Sequence, residues 1–179
     1  MKIVIIGSVA AGTSVAAKIR RNDENCEIKI FEKDTDISYS SCGLPYFVGE
    51  DYIERDNITP RNPSWFKKRF NFDIFTAHEV LSVDHINKKL EIISINSGDT
   101  FTESYDKLVI ATGAKVNLPK LPSLDWENTF VLKNVHDADR MKEFIKRKNP
   151  PKALIVGSGF IGLEILDNLH KLNIETTIL

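Results

Sequence analysis

The sequence predicts an α/β protein with parallel strands and a small antiparallel meander. Two observations carry this prediction. A strand–helix–strand pattern occurs at each end of the chain, over residues 2–32 and 153–179, and in both copies the first strand ends on glycine. Between the two copies, three short segments alternate apolar and polar residues, as strands with one solvated face do.

Composition limits the functions that are possible. The chain has 179 residues, of which 42% are hydrophobic and 27% charged, as in a globular protein with a core. The formal net charge of −1 provides no global field, so neither nucleic acid nor an anionic membrane is expected as a partner. No apolar run approaches the roughly 18 residues of a membrane span. Met1 leads at once into a strand-like run rather than a signal sequence, so the expected location is cytoplasmic.

The first repeat opens with Lys2–Gly7, a β-branched run that is typical of a strand buried on both faces. A helical pattern follows over Ala10–Arg21, and Glu27–Glu32 predicts a second strand that ends on an acid. The two strands and the helix between them form one βαβ unit.

The middle of the chain is predicted to be more varied. Residues Asp34–Asn62 contain Ser, Gly and Pro without periodicity and are expected to be irregular, with a short helix at Ser64–Arg69 after them. Turns at Asn87-Lys88 and Asn96-Ser97-Gly98 separate the strands of the meander. The predicted strands of this region are His78–Asp84, Lys89–Ile95, Asp99–Glu103 and Lys107–Ala111.

The second repeat is preceded by a segment with Pro119 and Pro122 and by a predicted helix at Asp137–Arg147. Its predicted elements are the strand Ala153–Gly157, the helix Phe160–Leu172 and the strand Glu175–Leu179.

Two domains are predicted from this order. Residues 1–118 form the N-terminal part of the first, residues 119–149 a linker and helix, and residues 150–179 the start of the second. A doubly wound domain needs more strands than these, so the second domain is expected to be truncated.

The second repeat contains the stronger glycine motif. Gly157, Gly159 and Gly162 follow the G-x-G-x-x-G pattern between strand and helix, with Phe160 and Ile161 inside it. Such a turn lets a dinucleotide pyrophosphate approach the helix N-terminus. The alternative is a tight turn without a ligand.

The first repeat keeps the outer glycines, Gly7 and Gly12, but has Val9 where the middle glycine belongs. Glu32 strengthens the prediction of a nucleotide site there. An acid that closes the second strand, about 20 to 25 residues past the turn, is placed to accept the hydroxyls of an adenosine ribose. The alternative is that Glu32, beside Lys33, is a solvated strand end.

Cys42 is the candidate redox residue. It lies among serines and glycine, and a short helix starting there would favour its thiolate through the helix dipole and backbone amides. Cys26 is interpreted instead as a small buried apolar residue. No second cysteine lies at C-x-x-C or C-x4-C spacing, so the chemistry uses one sulfur, as a mixed disulfide, a persulfide or a sulfenic acid.

The histidines lack the spacing of metal ligands and are interpreted as structural, so no metal site is expected. They are His78, His85, His136 and His170.

Together these motifs resemble the coenzyme A disulfide reductase branch of the FAD-dependent pyridine nucleotide-disulfide oxidoreductases, which stands beside NADH oxidases and NADH peroxidases. The similarity covers essentially the whole chain and implies a Rossmann-like, three-layer fold that binds FAD and NAD(P). The segments that carry it are Ile6–Gly12, Phe31–Lys33, Ser38–Tyr46, Tyr105–Ala114 and Gly157–Gly162.

The resemblance implies which residues hold the cofactors. For FAD they are Gly7, Val9, Ala10, Ala11, Gly12, Glu32, Lys33, Ala111, Thr112 and Gly113. For NADPH or NADH they are Gly157, Gly159, Phe160, Ile161 and Gly162.

The resemblance also implies the reaction. Hydride from NAD(P)H enters the flavin, and the reduced flavin delivers electrons to a disulfide between Cys42 and coenzyme A. A homodimer is implied for the full-length form. The residues expected to hold the CoA nucleotide are Ser14, Lys18, Arg21, Ser38 and Ser41.

Lys18 and Arg21 lie one helical turn apart, which suits phosphate binding. The alternative is that Arg20-Arg21 is merely a charged helix end.

Two features leave the reaction open. Reductases of this branch can carry Asn directly before the cysteine, where this chain has Ser41, so a persulfide, oxygen or peroxide are alternative acceptors to CoA disulfide. The residues that distinguish NADH from NADPH follow the strand that ends at Leu179. An inactive truncated fragment that binds at most an adenine nucleotide is the non-enzymatic alternative.

Overall fold

The computed structural model describes residues 1–118 and 127–179. The predicted linker prolines, Pro119 and Pro122, lie outside these residues. The chain divides into two compact units, one comprising residues 1–39 and 59–114 and the other residues 40–58 and 115–179. The assignment of residues 1–118 to one domain stays a prediction.

The helices and strands follow the order that the sequence predicts, with two short additions, a helix at Arg55–Ile58 and a strand at Asp73–Phe75. In chain order they are β1 (Lys2–Ile6), α1 (Ala11–Asn22), β2 (Glu27–Phe31), a 3-10 turn (Ser41–Gly43), α2 (Leu44–Gly49), α3 (Arg55–Ile58), α4 (Pro63–Phe70), β3 (Asp73–Phe75), β4 (His78–Asp84), β5 (Lys89–Ser94), β6 (Thr100–Ser104), β7 (Lys107–Ile110), α5 (Val135–Lys148), β8 (Lys152–Ile155), α6 (Phe160–Lys171) and β9 (Glu175–Ile178).

The first unit is built on a four-stranded parallel sheet of order β3-β2-β1-β7. Strand β1 is central, so that Ile3 pairs with Ile28 of β2 on one side and with Lys107 of β7 on the other. Because successive side chains of a strand point to opposite faces, a central strand buries both of its faces. This explains why β1 is a continuous apolar run.

Each face of this sheet is covered by a different layer. Ile3 and Ile5 pack with Ala16 of α1 and Phe66 of α4 on the helical side. Val4 faces the other way and packs with Leu90, Ile92 and Tyr105 beneath the meander. The prediction of a three-layer α/β fold is confirmed.

The meander is an antiparallel sheet of order β4-β5-β6. Its register shifts between Val80 and Ser82, where β4 has an irregularity. Lys88 and Gly98 have φ of +52° and +77° at the two connections, and the predicted turns are confirmed there.

The second unit contains the other βαβ pattern. Strands β8 and β9 pair in parallel, and α6 connects them. Helix α5 begins with a capping box, in which Asn134 Oδ1 accepts from Asp137 N and Asp137 Oδ2 accepts from Asn134 N. None of the helices in the described ranges is both long and apolar enough to span a lipid bilayer.

The prediction that Asp34–Asn62 is irregular is wrong in part. This region contains the 3-10 turn and the helices α2 and α3, whose six and four residues are too few to show a period of 3.6. Helices this short depend on tertiary packing rather than on local propensity. The three-residue strand β3 was missed for the same reason.

Candidate functional site

The first glycine-rich turn requires its two outer glycines. Gly7 has a φ of +100°, and its N–H donates to Phe31 O at 2.9 Å. A Cβ added to Gly7 would overlap the carbonyl of Ala111, and one added to Gly12 would overlap the carbonyl of Gly7. Both positions therefore need glycine for the turn itself, whether or not a ligand is present.

Helix α1 begins at this turn without a capping side chain and with no acid in its first turn. Its first N–H groups thus have neither a capping oxygen nor a competing carboxylate, which is the arrangement that suits a phosphate. Val9, in place of a middle glycine, is half-buried, and its carbonyl accepts from Thr13 Oγ1 at 2.6 Å. The residues present therefore fit a dinucleotide pyrophosphate.

Glu32 is buried at the end of β2, with 9% of its surface exposed. Its Oε2 accepts from the N–H of Ser8 at 2.8 Å and from the Ser8 hydroxyl at 3.0 Å, while Oε1 accepts from Asp34 N at 3.0 Å. Glu32 is therefore not the solvated strand end of the alternative interpretation. Each carboxylate oxygen has two acceptor sites, so Oε1 retains capacity for a ribose hydroxyl. Lys33 is exposed beside it.

The end of β7 lies beside the first turn. Ala111 N donates to Ile6 O at 2.8 Å, and the carbonyl of Ala111 is the group against which Gly7 packs. Thr112 is exposed, and Gly113 has a φ of +67°. These residues therefore adjoin the turn, and their contact with FAD stays a prediction.

Three of the predicted CoA-binding residues share one exposed face of α1. Ser14, Lys18 and Arg21 are spaced by four and three residues and are all exposed. Arg20 points elsewhere, because its guanidinium donates to the carbonyls of Phe70 at 3.0 Å and Asn71 at 2.9 Å. Arg20 thus bonds the end of α1 to the end of α4, and phosphate binding by Lys18 and Arg21 stays a prediction.

The other two predicted CoA-binding residues lie in different places. Ser38 has a φ of +49°, and its N–H donates to Ser8 O at 3.2 Å, so it adjoins the first turn. Ser41 is exposed and belongs to the second unit, directly before Cys42.

Cys42 is exposed in the middle of the 3-10 turn. Gly43 N donates to Ser40 O at 3.0 Å, and Ser40 N donates to Ile58 O at 2.8 Å, so backbone hydrogen bonds define both ends of the turn. Helix α2 starts at the next residue but one. The prediction of a short helix beginning at the cysteine is confirmed to within two residues.

An open cavity of about 570 Å³ adjoins the cysteine turn within the second unit. Aromatic, aliphatic and small polar side chains line it. These residues are Ser40, Gly43, Tyr46, Tyr52, Ile53, Asn57 and Ile58.

The second glycine-rich turn repeats the geometry of the first. Gly157 has a φ of +113°, its N–H donates to Leu179 O at 2.9 Å, and a Cβ on Gly162 would overlap the Gly157 carbonyl. Gly159 precedes α6, which has no side-chain cap, and a Cβ added there would meet no atom of residues 1–118 and 127–179 within 4 Å. This open space beside an uncapped helix fits a pyrophosphate. Phe160 and Ile161 are exposed at the start of α6.

Within residues 1–118 and 127–179, no group of three or more His, Cys, Asp and Glu side chains could hold a metal ion. His78 has a structural place, since its ring packs with Phe31, Phe75 and Phe101 and its Nδ1 lies 2.7 Å from Thr76 O.

Sequence reasoning missed three residues that shape these sites. Ser8 donates a hydrogen bond to the carboxylate of Glu32. Lys142 of α5 donates to carbonyls at the end of α2, and Asn168 of α6 packs against Gly49. None has a local signal, because each acts on a residue that is distant along the chain.

Comparisons with known proteins agree with this geometry. Residues 1–179 match the family described as pyridine nucleotide-disulphide oxidoreductase. A coenzyme A disulfide reductase of Staphylococcus haemolyticus (strain JCSC1435) is 38% identical over 178 residues, which are 99% of this chain and 40% of that protein. The chain thus spans about 40% of the length of the curated relatives that it matches.

Two solved structures are similar over 99% of the chain. The crystal structure of reduced Bacillus anthracis CoADR-RHD has a TM-score of 0.95 at 40% identity, with 32% of its chain covered. The structure of an NAD-dependent persulfide reductase from A. fulgidus has a TM-score of 0.93 at 35% identity, with 33% covered. The match over the full chain and these structural likenesses agree, and the chain belongs to the pyridine nucleotide-disulphide oxidoreductase family.

Proposed function

We propose that this chain provides the flavin site and the redox thiol of an FAD-dependent NAD(P)H:disulfide oxidoreductase whose substrate is coenzyme A disulfide. One observation carries the proposal. Cys42 is exposed on a helical turn, whereas the other cysteine, Cys26, is 3% exposed, with its Sγ 3.3 Å from Asp23 O. A single accessible sulfur forms a mixed disulfide with a small thiol rather than an internal dithiol. The 38% identity to a coenzyme A disulfide reductase supports this substrate.

The two glycine-rich turns take the two nucleotides of the reaction. The first turn, with Gly7 and Gly12, would hold the FAD pyrophosphate at the start of α1, and Glu32 would accept the ribose hydroxyls. The second turn, from Gly157 to Gly162, would hold NADPH or NADH at the start of α6. When bound, FAD carries two electrons from the nicotinamide to sulfur.

The exposed face of α1 suits the phosphates of coenzyme A. Lys18 and Arg21 place two cationic side chains on that face, and the Ser14 hydroxyl adds a hydrogen-bonding group. Arg binds phosphate through a planar fork and Lys through a point charge. Ser38 and Ser41 are proposed to complete the nucleotide site.

Cys42 performs the sulfur chemistry in two steps. Its thiolate attacks one sulfur of CoA disulfide, so that a bond forms between Cys42 and one CoA while the substrate disulfide breaks. The first CoA leaves as a thiolate and takes a proton from solvent. Two electrons and one proton then cleave the mixed disulfide, which releases the second CoA thiol and restores the Cys42 thiolate. We propose that the complete enzyme acts as a homodimer.

The first step is testable without bound flavin. The chain is incubated with CoA disulfide, and the adduct is located by mass spectrometry of the intact protein and of its peptides. We expect the unsubstituted chain to carry one CoA on Cys42. The Cys42→Ser variant should carry no CoA, and the Cys26→Ser variant should still carry one. A Cys42 thiol that stays unmodified while a small alkylating reagent reaches it would refute CoA disulfide as the substrate.

A persulfide is the second candidate acceptor. The TM-score of 0.93 to an NAD-dependent persulfide reductase favours it, and Ser41, in place of Asn, leaves it open. Separate incubations decide between the two: the chain is mixed with CoA disulfide or with CoA persulfide at equal concentration, and the rates at which the Cys42 thiol disappears are compared. A faster reaction with the persulfide would make it the preferred acceptor.

A further inference from the structure

Helix α2 follows the cysteine turn and is too short to be stable alone. It has six residues, and isolated helices shorter than about 12 residues are marginal in water. Five of the six are buried, so packing within the second unit determines where the helix lies. Because Leu44 N donates to Ser41 O, the cysteine turn continues directly into this helix. Whatever holds α2 therefore also holds Cys42.

Lys142 of α5 inserts its ammonium group at the C-terminal end of α2. Its Nζ donates to Phe47 O at 2.7 Å, to Glu50 O at 3.0 Å and to Ile53 O at 3.3 Å. The last carbonyls of a helix have no partner within the helix, and an ammonium has three N–H donors. One side chain thus bonds the last turn of α2 and the loop after it.

Two features around Lys142 attract a cation, whereas its burial opposes the charge. Its Nζ lies 4.3 Å from the centroid of the Phe47 ring, which attracts cations through its face. The carbonyl end of a helix also attracts positive charge. Burial lowers the pKa of Lys142, and Lys146 adds to this effect, while Asp51, Glu54 and Asp139 oppose it.

Helix α6 contacts the same end of α2. Gly49 packs against Asn168, and Lys171 Nζ lies 3.0 Å from Glu50 Oε1. The Lys171–Glu50 pair is half-exposed, and such pairs contribute little. The hydrogen bonds of Lys142 are made to backbone carbonyls of α2 and of the residues after it. They therefore fix the position of α2 more directly than the side-chain pair of Lys171 and Glu50 does.

We propose that Lys142 is a positioning residue for Cys42, and that its three hydrogen bonds to Phe47, Glu50 and Ile53 hold α2 and the cysteine turn in the geometry that disulfide exchange needs. The inference rests on the proposed function of Cys42 as the redox thiol. Lys142 does not touch the reacting sulfur. It acts through the helix that connects it to the turn.

Three substitutions separate positioning from general stability. Lys142→Met removes the donors and keeps the apolar stem, whereas Lys142→Arg keeps donors that reach carbonyls. Lys146→Met is the matched control, since Lys146 is on the same helix one turn later and pairs only with exposed Asp51 among the described residues. Thermal unfolding by circular dichroism confirms that each variant folds.

Two readouts are taken on each variant. The first is amide hydrogen exchange of the peptide covering residues 40–53, and the second is the rate at which CoA disulfide modifies Cys42. In Lys142→Met we expect exchange about tenfold faster and modification about fivefold slower, because lost charge-assisted hydrogen bonds allow the turn to move out of its reactive geometry. In Lys142→Arg we expect the exchange rate and the modification rate to lie within about twofold of those of the unsubstituted chain. In Lys146→Met we expect both rates to be unchanged.

Unchanged exchange in Lys142→Met would overturn the inference, and so would faster exchange with an unchanged rate of modification. If CoA disulfide fails to modify the unsubstituted chain, the proposed function fails, and exchange over residues 40–43 decides the positioning role by itself. Protection lost there in Lys142→Met and retained in Lys146→Met supports that role, whereas equal protection in the two variants overturns it.

Discussion

Ser8 donates both its backbone N–H and its hydroxyl to one carboxylate oxygen of Glu32, at 2.8 and 3.0 Å. Both residues are buried, and the bonds connect the first glycine-rich turn to the end of β2. Glu32 thereby has two roles that experiment can separate. It stabilises the turn, and in the proposed enzyme it binds the ribose of FAD.

Replacing each partner separates these roles. In Glu32→Ala, a buried N–H loses its partner, which costs about 1–3 kcal/mol of the free energy of unfolding, and FAD affinity falls more than about tenfold. In Ser8→Ala, the carboxylate keeps its N–H partner, so we expect a loss of about 1 kcal/mol and little change in the dissociation constant. Urea unfolding and quenching of flavin fluorescence measure the two quantities. If both variants bound FAD with the same dissociation constant as the unsubstituted chain, Glu32 would have no role in binding the ribose.

The outer and middle positions of the glycine motif differ in what a methyl group would meet. Gly12→Ala places a Cβ against the carbonyl of Gly7, whereas Gly159→Ala places one in open space. We expect Gly12→Ala to reduce stability by about 2 kcal/mol or more and Gly159→Ala to change it by less than about 1 kcal/mol. Gly159→Ala should instead weaken NADH binding, measured by titration, because its methyl group would lie where the pyrophosphate approaches. Similar stability losses in both variants would refute this distinction.

Glu103 of β6 pairs with two lysines, Lys2 of β1 and Lys29 of β2. Burial raises the pKa of Glu103, but hydrogen bonds and charge from these lysines outweigh it and hold the pKa below its ordinary value of 4.5. A depressed folded-state pKa means that the pair stabilises the fold above pH 4.5 and that this contribution is lost as pH falls through the folded-state value. The free energy of unfolding, measured from pH 7 to pH 3, should therefore decline less steeply in Glu103→Gln than in the unsubstituted chain. Identical slopes in the two proteins would contradict the prediction.

Asn168 is fully buried, and its Oδ1 has no hydrogen-bond partner within the described residues, while its Nδ2 donates to Glu164 O at 2.8 Å. An unpaired buried oxygen costs free energy that an apolar group of similar volume avoids. Asn168→Leu should therefore unfold at equal or higher urea concentration than the parent, with a gain of up to about 1 kcal/mol.

Gly49→Ala is the counterpart of that substitution, because its Cβ would overlap the Asn168 side chain, and it should destabilise by about 1–3 kcal/mol. A markedly less stable Asn168→Leu would show that the amide has a role which the contacts between α2 and α6 do not reveal.

Local pattern predicted most of the fold. The β-branched run of β1, the alternation of the meander and the helices of both repeats were recognisable because each element is long enough to display its own period. The short elements α3 and β3 were missed, since three or four residues contain less than two turns or two full alternations. The short helix at Cys42 was expected from the residue types around it, but the extent of α2 was not. Their positions come from packing, as the buried face of α2 illustrates.

The candidate site divides in the same way. The glycine turns, Glu32 and Cys42 could be named as candidates because each is recognised from residues that are close in sequence. The sequence by itself determined the family and the α/β class. Only the tertiary structure decided that Glu32 is bonded to Ser8, 24 positions away, and that α2 is held by Lys142, 95 positions from Phe47. Such bonds leave no local period or motif, because they form between groups that only the folded chain brings together.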